Sequence, residues 1–314
     1  MAPLESAKGY SNCNLQTYLR DNLIISKILC VCPYKIHDGF NFNWIELVKT
    51  LIISQCVAVT SYTAGVTDLI QHKKFPDPQV ALISAVEAFI TALLITVSSL
   101  ELIRKRNHLN SIYLHLRSLD EFFTKLRVQC LKPVSKMEIY ASIAYLWPMF
   151  LIMIIECVGW ASYEQSFDYL RCISTVATAL CNLQMFGIAL KYTAFMNALG
   201  RGLEMLNRAM TYKYGPISTP NLMYHINEAV DSTFSAFHSI NEAFASTLLL
   251  LVVNCFAKCT DNFYKLLAHE TENLSKYLYV AWMSNMCMQL IVLTKAVNYS
   301  VAQVNIMLVF LDYS

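Results

Sequence analysis

Charge is scarce in this chain: Asp, Glu, Lys and Arg make up 15% of its 314 residues, against roughly 25% in an ordinary soluble domain. Too few charged side chains remain to clothe a water-facing surface. A net charge of +2 without a clustered basic face excludes nucleic acid as a partner. Glycine is sparse too. With eight glycines, of which only Gly200 and Gly202 stand close together, no phosphate-cradling loop is present. The string HExxH, the G-x-S-x-G elbow and the CxxC pair are all missing, and the seven histidines are scattered. The chain is therefore not expected to be an enzyme, to bind a metal or to carry a cofactor. Eleven cysteines sit mostly within apolar runs, where a free thiol behaves as a small hydrophobe. Cys157 and Cys172 flank one predicted outer loop, where a disulfide is an alternative.

What is abundant is apolar: hydrophobic residues reach 56%, aromatics 12%, and mean hydropathy is +0.41. A membrane helix needs about 20 mostly apolar residues, and uncharged windows run over 50–67, 139–155, 172–190 and 277–294. Two weaker segments join them, one carrying Glu87 and one with an uncharged core of 243–257. The predicted fold is an all-α polytopic membrane bundle of six spans, at about 45–67, 78–100, 139–160, 169–190, 236–257 and 277–297. Membrane lipid is thus the first expected partner.

Basic residues are retained on the cytoplasmic side. Lys8, Arg20, Lys27 and Lys35 precede the first span, eight more lie in 101–137, and Lys191, Arg201, Arg208 and Lys213 lie in 191–235. The alternate loops hold only Lys73 and Lys74, none, and Lys258 and Lys265. The N-terminus is therefore predicted inside. The stretch NLIISKILCVCPYKI at Asn22–Ile36 is too short to cross, so it is expected at the inner interface or against the bundle, with Lys27 reaching water. No cleavable signal peptide is read before it. The predicted layout is a cytoplasmic segment 1–44, a membrane domain 45–299 and a short tail 300–314.

Between spans four and five, Phe195, Leu199, Leu203, Leu206 and Met210 step by three or four, and a second series runs from Met223 through Phe234, Phe237 and Phe244 to Leu248. TYKYGPISTP separates them. This predicts that helices four and five extend into the cytoplasm as a hairpin over 191–235. Its stripes pack either on each other or on neighbouring subunits, with Phe234, Phe237, Asn241 and Phe244 as candidate oligomer contacts.

LIISKILCVCPYKI at Leu23–Ile36 and HSINEAFASTLLLLVVNCF at His238–Phe256 resemble the leading stretch and the fifth-helix segment of insect gustatory receptors. The resemblance covers nearly all of residues 15–303. It implies a plasma-membrane, ligand-gated cation channel, a homo- or hetero-tetramer that binds a small-molecule tastant in an outward-facing cavity of each subunit. The family's seventh helix, with a T-Y-x5-Q-F-like motif, has no counterpart here, so a missing seventh span is expected, with a truncated isoform or an incomplete gene product as what the resemblance implies. A non-conducting accessory subunit or a transporter is the alternative. Ionisable groups in a membrane usually face an interior or a water-filled cavity. Tyr62, Glu87, Glu156, Trp160, Tyr163 and Arg171 are accordingly the candidate ligand-binding residues, grouped as an outer cup. Glu156 with Arg171 is equally read as a structural ion pair, and Trp160 as part of an interfacial belt.

Overall fold

The structure is a computed structural model that describes residues 15–29, 32, 34–36, 40–72, 78–126, 151–155, 158, 169–213, 220–268 and 273–312. Within these residues the named elements are α1 (Leu15–Ile28), β1 (Tyr34–Ile36), β2 (Phe40–Phe42), α2 (Trp44–His72), α3 (Pro78–Arg104), α4 (Arg106–Leu126), α5 (Tyr169–Lys213), α6 (Pro220–Ala268) and α7 (Asn273–Asp312). Residues 151–155 are also helical. The two strands form an antiparallel hairpin pairing Tyr34 with Phe42 and Ile36 with Phe40, a small departure from the all-α expectation.

Local chemistry sets several helix starts. Asn43 caps α2, its side-chain oxygen accepting from the Ile45 N–H at 3.1 Å. Proline opens both α3 and α6, where its missing N–H costs nothing. The first N–H of α1, at Leu15, is capped from another helix by Asp120 of α4 at 2.9 Å. Leu15, Tyr18, Leu19 and Leu23, at positions i, i+3, i+4 and i+8, turn one face of α1 into the core. Ser26 donates to the Gly187 carbonyl of α5 at 3.1 Å, and Lys27 stays exposed. The opening helix therefore tucks against the bundle.

At the centre of the bundle lies α5, packed against α1, α2, α6 and α7. Every residue from Cys181 to Leu190 is buried. Its close approach to α7 depends on Gly200, where a Cβ would lie 2.6 Å from a ring carbon of Tyr299. Beside this, Phe244 of α6 packs on Tyr192 and Phe195 at centroid distances of 5.6 and 5.5 Å. The stripe Phe195, Leu199, Leu203, Leu206 and Met210 is wholly inside this core. It meets residues of α1, α4, α6 and α7 there, so the stripe is satisfied within one chain.

Four helices are long and apolar enough to cross a membrane, over Trp44–Thr63, Leu82–Arg104, Tyr224–Leu267 and Lys276–Val309. They carry large exposed apolar side chains, among them Ile45 and Ile52 of α2, Leu82 and Phe89 of α3, Leu249 and Phe256 of α6, and Ile291 and Val309 of α7. An apolar exterior of this kind suits lipid. Of the six expected spans, the third falls mostly outside the described residues. The fourth is the first half of α5, where Ile173, Val176 and Leu180 are exposed and burial is complete only from Cys181 to Leu190. α7 continues to Asp312, so residues 300–312, read from sequence as tail, are its last turns. At 1.5 Å per residue, α5 with 45 residues and α6 with 49 are each about 70 Å long, more than twice a hydrocarbon core of about 30 Å.

The segment 101–137 was expected as a loop. Its described part, however, holds the end of α3, a turn at Lys105 and then α4. Leu109, Ile112, Leu116, Leu119 and Phe123 bury one face of α4, which packs chiefly on α6.

Candidate functional site

α3 and α6 lie side by side and turn polar rows toward each other. Ser84, Glu87 and Thr91 follow one face of α3, and Asn254, Lys258, Asp261 and Lys265 follow one face of α6. Lys258 Nζ stands 2.5 Å from Glu87 Oε1, with the two side chains 7% and 15% exposed. The Thr91 hydroxyl lies 3.0 Å from Glu87 Oε1 and 2.9 Å from Asn254 Oδ1, and its single hydrogen serves one of them at a time. A second carboxylate, Asp261, accepts from Ser84 and from Lys265, each at 2.5 Å. The Asn254 amide reaches the sulfur of Met185 on α5. Two carboxylates and two ammonium groups thus close on one another inside the chain. Such a pair costs desolvation and stabilises only while both partners are present.

One end of α3 holds a further polar knot. Glu101 accepts the Thr247 hydroxyl at 2.5 Å and lies 3.9 Å from Lys105 Nζ, and Lys105 donates to the Glu242 carbonyl. Lys191 of α5 is buried, its ammonium 5.5 Å from the centroid of the Phe244 ring. Nearby helices are tied by neutral bonds: Gln184 to Ser54 at 3.3 Å, Thr96 to Gln55 at 3.1 Å, and Ser61 with Thr178 at 3.3 Å.

Some amide and hydroxyl atoms in the interior make no hydrogen bond: both polar atoms of Gln289, Asn285 Nδ2, Asn182 Oδ1, Gln184 Oε1 and Thr193 Oγ1. A buried polar atom without a partner costs about 1–3 kcal/mol.

Of the residues expected to form an outer cup, Glu156, Trp160 and Tyr163 lie outside the described residues. Arg171 is placed as a backbone position in the first turn of α5. Tyr62 sits on α2, 38% exposed. Glu87, expected to face an interior or a cavity, pairs with Lys258 inside the chain. Sequence reading missed Lys258 by assigning it to an outer loop, whereas it stands inside α6. The signal was there: Asn254, Lys258, Asp261 and Lys265 keep helical spacing with alternating charge. Among the oligomer candidates, Phe244 belongs to the chain's own core and Phe237 is half-buried against it. Phe234 and Asn241 face outward. Among the described residues no three His, Cys, Asp or Glu side chains converge on a metal-ion position.

No protein-family model matches the chain, and no curated protein matches it.

Proposed function

We propose that this chain is a chemosensory receptor subunit of the gustatory type, a ligand-gated cation channel for small molecules in the plasma membrane, with its N-terminus in the cytoplasm. The observation that carries this reading is the length of α5 and α6, which outlast a bilayer and meet α1, α4 and α7 in one apolar core. Taken with the basic residues of α4 and its flanks, this supports an inner-side helical extension of the membrane helices. The resemblance described above implies the same arrangement. Phe234 and Asn241, on the outer face of that extension, are the contacts assigned to assembly. Phe234→Ser should then shift detergent-solubilised oligomers towards monomer, and an unchanged oligomer size would remove that assignment.

A second reading, the non-conducting accessory subunit, is favoured by one feature. A channel surrounds its ions with polar groups or a gated constriction, yet the buried charges between α3 and α6 are held in the pairs Glu87–Lys258 and Asp261–Lys265. In the channel reading the pathway runs between subunits.

Calcium entry in cells expressing the chain, read by a fluorescent indicator against a panel of small tastants, separates the two. Compound-dependent entry supports the channel. Surface protein that never admits calcium supports the accessory subunit.

A further inference from the structure

Gln289 is 1% exposed, and neither its amide oxygen nor its amide nitrogen has a hydrogen-bond partner. One turn earlier on the same face of α7, Asn285 Nδ2 is also unpartnered. Two fixed contacts bracket this face. Trp282 packs on Leu183, Phe186 and Leu190 of α5, and the Ser300 hydroxyl donates to the Met196 carbonyl at 2.8 Å. Gln289, seven residues after Trp282 and eleven before Ser300, shares their face of α7 and lies opposite the stretch of α5 between Leu183 and Met196. That stretch contains Thr193, whose buried hydroxyl oxygen has no partner either.

We propose that the buried face of α7 at Asn285 and Gln289, against α5, binds a small neutral molecule through its hydroxyl or amide group. A primary amide offers both donors and acceptors, and a hydroxyl or another amide answers both. A charged ligand fits poorly. The buried Glu87 is paired with Lys258 and Asp261 with Lys265, Lys191 turns its ammonium to the Phe244 ring, and a lone charge in an apolar interior is heavily penalised. Met286 and Leu293, both buried, border Gln289 on its own helix, so the neutral group sits in apolar surroundings. This names a ligand class for the receptor reading and rests on it for physiological meaning, but binding is measured without any current. Water carries the same chemistry as a ligand hydroxyl, and the arms below separate the two sources.

The full chain, purified in detergent, is titrated with propionamide and 1,2-propanediol, and with the ions propionate and propylammonium, while tryptophan emission is followed. Trp282 shares the face and serves as reporter, and Trp282→Phe identifies its part of the signal. The neutral probes should give a saturable change, the ions none. Gln289→Met should weaken neutral binding by roughly tenfold, the effect of one lost neutral hydrogen bond. If no probe saturates but Gln289→Met lowers the thermal midpoint, the same bonds hold water and the site stands with that occupant. Equal responses to neutral and ionic probes, or neutral binding unchanged in Gln289→Met, would overturn the proposal. So would a Gln289→Met protein that is at least as stable as the parent while no probe responds. Binding without any ligand-evoked current would leave the site standing and sink the receptor reading instead.

Discussion

Lys258 and Glu87 form an ion pair at 2.5 Å that ties α6 to α3 between two apolar, lipid-suited surfaces. Breaking a buried pair from one side leaves the other charge uncompensated, at a cost of about 3–5 kcal/mol. Lys258→Met should therefore lower the unfolding midpoint in detergent sharply. Replacing both residues, Glu87→Leu with Lys258→Met, should recover most of the loss. A double variant as unstable as the sum of the singles would show that the two charges do not depend on each other.

Gly200 is the contact point of α5 and α7. A methyl group there meets the Tyr299 ring, whose hydroxyl donates to Glu204 Oε2 at 2.7 Å. Overpacking of this kind costs about 1–3 kcal/mol, so Gly200→Ala should destabilise the protein and Tyr299→Phe should do so by about 1 kcal/mol. In a Tyr299→Ala background the Gly200→Ala penalty should vanish. Its persistence there would place the clash elsewhere.

His115 of α4 lies 3.1 Å from the Ser232 hydroxyl of α6, and burial holds its imidazole below the ordinary histidine value of 6.5. The unfolded chain thus takes up the proton first. Stability is intact above pH 6.5, declines as the pH falls below it, and stops declining once the folded imidazole is also protonated. His115→Gln should flatten that part of the stability curve. An identical acid limb in the variant would show that other groups govern it.

Orientation is testable without any ligand. Lys258 and Lys265, counted from sequence as outer-loop charges, belong to α6 and are paired, so the basic excess of the N-terminal segment and of 101–137 stands out more sharply. Epitope tags at position 2 and within 127–137 should stain only permeabilised cells. Staining of either tag on intact cells would invert the topology.

The apolar windows made the membrane class legible, and the three-and-four spacing from Phe195 to Met210 made the continuation of α5 legible, because both are local patterns. α4 was missed although Leu109, Ile112, Leu116, Leu119 and Phe123 carry the same spacing, since the charge run beginning at Arg104 dominates that stretch. Glu87 stands out in sequence as a carboxylate within an apolar segment, but its partner comes from a helix distant in sequence. Pairing across helices has no local signature. The same holds for Gln289, whose significance lies in what fails to reach it. Phe244 shows the converse limit: its helical stripe reads alike for a core and for an interface between subunits, and only the neighbouring rings of Tyr192 and Phe195 decide.

The receptor-channel reading meets its most direct test in whole-cell recording from cells expressing the chain, with uptake of the same labelled compound followed in parallel. The expected result is a compound-evoked current carried by cations, reversing as the cation gradient is changed, with no accumulation of the compound. Accumulation of the compound without such a current would contradict the channel and make the protein a transporter.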